Sequence, residues 1–224
     1  MKVVLLAHTK NGAELANLSA RTCYSDIPPS DIEFDPMLRS MKHAISGGHL
    51  SVLEHVSFTF SIEGISRACS HQLVRHRLAS YSMASQRYVK MDGFDFVVPK
   101  TIAEASDDIY NEYQSLMIAL DNTYKSFIER GVPVEDARYI LPNSCTTNLV
   151  LTMNARELIH FFSLRCCERA QWEIRGIADS MLSLCKVAEP EIFEKVGASC
   201  VTTGRCPEGK KSCGRVKNVQ KVQS

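Results

Sequence analysis

The chain has almost no excess of either charge: 26 Lys and Arg against 25 Asp and Glu leave a formal net charge of +1 over 224 residues. Without a one-signed surplus no global field draws nucleic acid or an anionic membrane, so anion binding has to come from a local cluster. Long apolar runs are missing too, and no window approaches the roughly 20 residues that a membrane helix needs. The opening MKVVLLAHTK has too short an apolar run for a signal peptide and ends in polar residues. Nine cysteines are an odd number without secretory context, so the chain is expected to be cytoplasmic, with reduced thiols. Neither an internal repeat nor an interdomain linker is visible. A content of 45% hydrophobic and 23% charged residues fits a globular protein with a sizeable core.

What is present is the patterning of a helix-rich α+β domain with a small mixed or antiparallel sheet. Residues 3–7 predict a buried strand, and Asn11 a helix cap for 12–23. Pro36 is expected to open a second helix, which Gly47 and Gly48 end. The alternation of EHVSFTFSI, 54–62, predicts a strand, with a helix from Ile65 through Leu73 into RHR. Residues 86–90 and 94–98 are short strand candidates. Thr101 to Glu104 reads as a capping box. Behind it Ile109, Tyr113, Leu116, Met117, Leu120, Tyr124 and Phe127 mark a long amphipathic helix ending at Gly131. A short helix over 133–140, a strand over 146–153 and a helix over 155–167 capped by Asn154 with Glu157 follow. Helices over 170–186 and 190–196 complete a catalytic domain of residues 1–196. The Gly-, Lys- and Cys-rich tail, 197–224, is expected to be loosely ordered.

One stretch concentrates positive charge and hydrogen-bonding capacity: RHRLASYSMASQR, 75–87. Cations at a helix C-terminus complement the macrodipole by about 0.3–1 kcal/mol, and that alone could account for Arg75, His76 and Arg77. Three features favour a ligand site. Ser85-Gln86-Arg87 adds donors ten residues later; the cations are arginines, whose rigid forks match phosphate, with no lysine among them; and Ser80, Ser82 and Ser85 supply hydroxyls.

The spacing Arg75-His76-Arg77, seven residues, Ser85, one residue, Arg87 resembles the R-H-R-x7-S-x-R signature of the flavin-dependent thymidylate synthases. Other blocks resemble the family in order: Gly48-His49 with Leu53-Glu54-His55, Gly131-Val132-Pro133 with Ala137-Arg138 and Leu141-Pro142, Asn154-Ala155-Arg156 through Ser163-Leu164-Arg165, and Gln171-Trp172-Glu173. The resemblance implies methylation of dUMP to dTMP with FAD, NADPH and methylenetetrahydrofolate by a homotetramer with shared active sites. It puts Gln72, Arg75, Met83, Ala84, Ser85, Gln86, Arg87, Arg138 and Arg165 at dUMP-contacting positions. Ser51, Arg75, His76, Arg77, Asn154, Arg156 and His160 fall at flavin positions. Met83 stands where the family usually has Gln or Glu, and offers only its backbone and a weak sulfur acceptor. His160 stands where many members have Asn.

Methylating C5 of uracil needs an electron-rich ring, a one-carbon donor and a reductant. Side chains cannot supply hydride, so the resemblance assigns that step to the flavin. No protein nucleophile is implied. Arg165 is the matching catalytic candidate, because a guanidinium near N3 and O4 stabilises the ionised ring. Ser85 has no adjacent general base apart from His76 and is assigned to phosphate. Arg156 and His160 are four residues apart and share a helix face. Arg165, nine residues from Arg156, falls about 180° around at roughly 100° per residue. The expectation is therefore two faces serving two sites.

No metal is expected. His71 and His76 would diverge on a helix, and no Cys or Asp completes a tetrahedral set at familiar spacing with His49 or His55. His49 is expected to line the ligand pocket. Cys200, Cys206 and Cys213, spaced C-x5-C-x6-C, match no compact zinc knuckle, and Cys166-Cys167 read as structural. Two other readings stay open on the residues alone. An RNA-binding platform would need more than a net charge of +1 and more stacking aromatics than Tyr81 and Tyr88. A flavin-binding protein without thymidylate activity is the other.

Overall fold

The computed structural model describes residues 1–216. Its four strands, β1 (Lys2–His8), β2 (Ser57–Ser66), β3 (Ala79–Met83) and β4 (Thr146–Asn154), form one antiparallel sheet in the order β1-β2-β4-β3. The helices are α1 (Gly12–Thr22), α2 (Arg39–Ser46), α3 (Arg67–Leu73), α4 (Lys100–Ala103), α5 (Asp107–Glu129), α6 (Val134–Ala137), α7 (Ala155–Arg165), α8 (Trp172–Ala188), α9 (Pro190–Phe193) and α10 (Ser199–Thr202). The class is α+β, as the patterning implied. The chain divides into two compact units.

The first unit comprises Met1–Lys2, Ile62–Arg75 and Ser82–Leu149. Its frame is α5, which buries Met117 and Tyr124. The Tyr124 hydroxyl accepts from the Met91 N–H at 3.2 Å, so the one polar atom of this core side chain is satisfied. α5 ends where expected, with Gly131 at φ 85°, a conformation glycine adopts without strain. Its start differs from the expectation. Thr101 sits inside the short α4, and α5 begins behind Ser106, whose side chain does not cap it. Asp107 and Asp108 in the first turn complement the dipole instead. Residues 86–90 are not a strand, since the Tyr88 and Val89 N–H groups turn back onto the Ser85 carbonyl. Of 94–98 only Phe96 pairs, in an isolated antiparallel bridge with Cys145.

The second unit comprises Val3–Ser61, His76–Tyr81 and the chain from Val150 onward. Phe58, Phe60, Phe161, Phe162 and Phe193 are fully buried in it, with Phe193 edge-on to Phe58 at 5.4 Å. Asn11 does not cap α1: it is left-handed (φ 53°) and makes no side-chain cap. Glu189 does this work from 177 residues away, its carboxylate accepting from Gly12 N–H at 2.7 Å and Ala13 N–H at 3.0 Å. A negative group there satisfies two orphan donors and meets the positive helix end. Pro36 does not open α2; Asp35 accepts from the Met37 and Arg39 N–H groups and delays the start to Arg39. Residues 50–55 form a 3-10 turn, and β2 starts only at Ser57. Of the expected tail, Ala198 and Cys200 are buried and Arg215 Nη1 donates to the Cys166 carbonyl at 3.1 Å. Residues 217–224 lie outside the described residues.

Candidate active site

In the second unit the site is built on α7. Asn154 caps it, its side-chain oxygen accepting from the Glu157 N–H at 2.9 Å. Glu157 does not turn back to close a capping box. Its buried carboxylate meets His76 Nδ1 at 3.2 Å. On the other side of the ring, Arg165 Nε donates to His76 Nε2 at 3.1 Å. An arginine Nε is always a donor, so Nε2 carries the lone pair and the proton sits on Nδ1, facing Glu157. The imidazole is neutral and its tautomer is fixed by both partners. Burial pushes the His76 pKa down, and the Arg165 and His160 charges add to this against the opposing pull of Glu157. The ring packs edge-on against Phe161 at 4.9 Å and tilts beside His160 at 5.9 Å. The His76 carbonyl accepts from the Tyr81 hydroxyl at 2.8 Å. Glu157, His76 and Arg165 thus form one hydrogen-bonded chain that holds a guanidinium.

A cleft of about 760 Å³ opens beside this chain, lined by Asn154, Arg156, Glu157, His160 and, from α10, Ser199 and Thr202. Arg156 pairs closely with Glu54 at its rim. The structure therefore gathers three of the expected flavin residues, Asn154, Arg156 and His160, on one cleft, with His76 behind them. Arg77 is exposed, and Ser51 lines a separate cavity of about 390 Å³ with His43 and His49. His49 lines this second cavity and not the cleft beside α7. Arg165 does not line the cleft, but neither does it serve an isolated opposite face. Its long stem folds back to a histidine that also touches His160, a reach that the 100° rule for Cα positions does not include.

His76, Glu157 and His160 also bring three metal-ligating atoms within 4.8 Å of one another. An ion there would displace the Glu157 and Arg165 hydrogen bonds and lie beside the Arg165 cation. The hydrogen-bonded chain suits these groups better.

In the first unit Glu135 organises the nucleotide-set arginines. Arg87 places Nε and Nη2 on its Oε2, each at 3.0 Å, and Arg138 Nε donates to its carbonyl at 3.0 Å. Ser85 Oγ accepts from the Arg87 N–H at 3.2 Å, and Gln86 lies against Cys145 Sγ. Gln72 is half-buried on α3 and Arg75 is exposed. Arg67, which sequence reasoning missed, donates to Met83 Sδ at 3.3 Å and to the Ala84 carbonyl at 3.0 Å. Its Nε is buried without a partner among the described residues, and burial lowers its pKa. Met83 therefore has a use for its sulfur. The side-chain pairings of Glu54 with Arg156, Glu135 with Arg87 and Glu157 with His76 were missed as well, since each spans a long stretch of chain.

The family model described as thymidylate synthase complementing protein matches residues 4–191. The flavin-dependent thymidylate synthase of Geobacter sulfurreducens is 49% identical over 99% of this chain and 97% of its own length. That of Clostridium tetani is 41% identical over 99% and 96%, and that of Pyrococcus horikoshii 44% over 93% and 90%. The signature, the blocks around it and this near-full-length likeness agree, and the chain belongs to the thymidylate synthase complementing protein family.

Proposed function

We propose that this protein is an enzyme that methylates dUMP at C5 to give dTMP, with methylenetetrahydrofolate as carbon donor, NADPH as reductant and FAD as cofactor. The observation that carries the reading is the Glu157–His76–Arg165 chain beside a cleft lined by Asn154, Arg156 and His160. The cleft fits the cofactor: its volume of about 760 Å³ lies within the range of ligand sites, and Arg156 and the exposed His160 can meet the pyrophosphate and ring heteroatoms. Bound there, the flavin supplies the hydride chemistry that side chains lack. Ser51, Arg75 and Arg77 join this set through the family resemblance.

Arg165 is the proposed catalytic residue. Its Nε is occupied by His76, which leaves both terminal nitrogens to donate to the N3–O4 edge of an ionised uracil. A guanidinium held in advance needs no reorganisation when charge develops. His76 and Glu157 position it. Gln72, Arg75, Met83, Ala84, Ser85, Gln86, Arg87 and Arg138 form the dUMP set. Arg87 and Arg138 would exchange Glu135 contacts for the phosphate, whose oxygens accept the same forked donors. Residues 1–196 are the proposed catalytic part, acting in the cytoplasm as a homotetramer with shared sites. Among the described residues no helix is long and apolar enough to cross a membrane.

Purified protein supplied with FAD, NADPH, methylenetetrahydrofolate and dUMP should form dTMP. NADPH oxidation without dTMP, at saturating substrates, would leave a flavoprotein of another activity. Mixing inactive Arg165→Lys and Arg156→Ala proteins under proven subunit exchange should restore some activity if sites are shared.

A further inference from the structure

The proposed reaction leaves the C-terminal cysteines unused. Cys200, Cys206 and Cys213 do not lie apart in a loose tail. They line one small cavity together with a fourth thiol, Cys167, from the segment just after α7. None of the four is in a disulfide. α7 stops at Arg165, so Cys166 and Cys167 do not continue a helix. Cys166 is buried, while Cys167 turns to the cavity. Gly204 (φ 67°) and Gly209 (φ 53°) provide the left-handed turns that carry the chain from Cys200 to Cys206 and on to Cys213.

We propose that Cys167, Cys200, Cys206 and Cys213 form a tetrathiolate site for a single thiophilic divalent cation, zinc by its chemistry. Four thiols with no oxygen or imidazole among them suit tetrahedral zinc or an iron–sulfur cluster. Size separates these two. The cavity holds about 50 Å³, room for one ion rather than for four irons and their sulfides. Four thiolates around Zn²⁺ carry a net −2; Arg169 and Arg215 line the same cavity, each paired with a carboxylate that lines it too, Glu208 and Glu168. A metal would bind the four as thiolates and displace their protons. Among the described residues only His76, Glu157 and His160 bring three ligand atoms within 4.8 Å of one another. The cysteine side chains must therefore rotate inward to close on the ion. Once closed, the site pins the turns after α10 to the end of α7.

The test uses the full-length protein, purified without chelator and without an affinity tag that binds metal. Elemental analysis should find about one zinc per chain. Alkylation of the thiols should release it. Cobalt titrated into the stripped protein should give the intense ligand-field bands of tetrahedral thiolate coordination, at wavelengths beyond the flavin absorption. Cys206→Ser and Cys213→Ser should each lose most of the zinc while far-UV circular dichroism stays unchanged. His160→Ala should keep it. Zinc that survives both cysteine changes but leaves with His160→Ala would overturn the proposal. So would iron with acid-labile sulfide, a mass deficit showing disulfides among the four cysteines in freshly purified protein, or four thiols that alkylate as fast with added zinc as without it.

Discussion

Two arginine groups in this molecule are held in opposite ways. Arg165 is fixed from behind by a neutral histidine, itself fixed by a buried carboxylate, so its orientation is set before any ligand arrives. Arg87 and Arg138 converge on an exposed glutamate, with the Arg87 and Glu135 side chains each about half exposed, at 50% and 49%. An ion pair of that exposure contributes on the order of 0–1 kcal/mol, so an incoming anion can displace it cheaply. The first arrangement suits a group that has to be in place as charge develops. The second suits capture of a phosphate.

The largest effect is expected where the fixed guanidinium is removed. Arg165→Lys keeps the charge but loses the planar fork and the Nε donor to His76. Loss of an oriented charged donor from a preorganised site costs on the order of 3 kcal/mol in the barrier, about a hundredfold in turnover. Rapid-quench measurement of bound dUMP turnover checks this. Flavin content should stay near normal, since Arg165 does not line the cleft; a variant stripped of flavin would mean that the two sites are not separable.

Next comes the residue behind it. Glu157→Ala leaves the buried His76 Nδ1–H without its acceptor, at about 1–3 kcal/mol of stability. Denaturant unfolding reads that loss. Glu157→Gln, which keeps an acceptor, should recover most of the stability. If Glu157 only fills space, Ala and Gln should leave turnover per folded site unchanged.

Arg87→Ala probes the exposed group. It should raise the KM for dUMP by about tenfold, roughly 1.4 kcal/mol, with little change in kcat. Added salt should narrow the difference, as screening weakens exposed contacts more than buried ones. A kcat loss equal to that of Arg165→Lys would erase the distinction between the two groups.

The same contrast governs what was legible in the sequence. The R-H-R signature, the Asn154 cap, the long periodicity of α5 and the strand-like run of β4 are local, and each was read from its own residues. β3 was missed although Ala79, Tyr81 and Met83 alternate with Ser80 and Ser82: the run is only five residues long, its apolar side is half-buried rather than buried, and it lies at the end of the sheet order. The partners that give the site its order were illegible for another reason: Glu157 meets His76 across 81 positions and Glu189 caps α1 across 177. Charged residues at such distances carry no periodic signal, and only the fold says which histidine a glutamate faces. Cys167 joins the three later cysteines by the same kind of closure.

The smallest effect is one of pH, and it separates the two groups without altering Arg165 or Arg87. His76 is buried and neutral, with its pKa pushed below the ordinary value of 6.5. As pH falls below 6.5 the unfolded chain takes up a proton at this position that the folded chain refuses. Stability is therefore fully present above 6.5 and is lost progressively as pH falls toward the depressed folded value. Between pH 7.5 and 6 the loss from one such histidine is at most about 0.8 kcal/mol. Protonating Nε2 would also set a cation against Arg165 Nε, so turnover per folded site should fall only at lower pH, as the depressed folded pKa of His76 is approached. The Glu135 group has no histidine among its described partners, and capture of dUMP through Arg87 should not follow that profile. His76→Asn, with a side chain that does not titrate, should flatten the stability difference between the two pH values while the effect of Arg87→Ala on KM persists. Equal pH dependence of stability in the His76→Asn and parent proteins would mean that another histidine carries it, and the neutral assignment of His76 would be wrong.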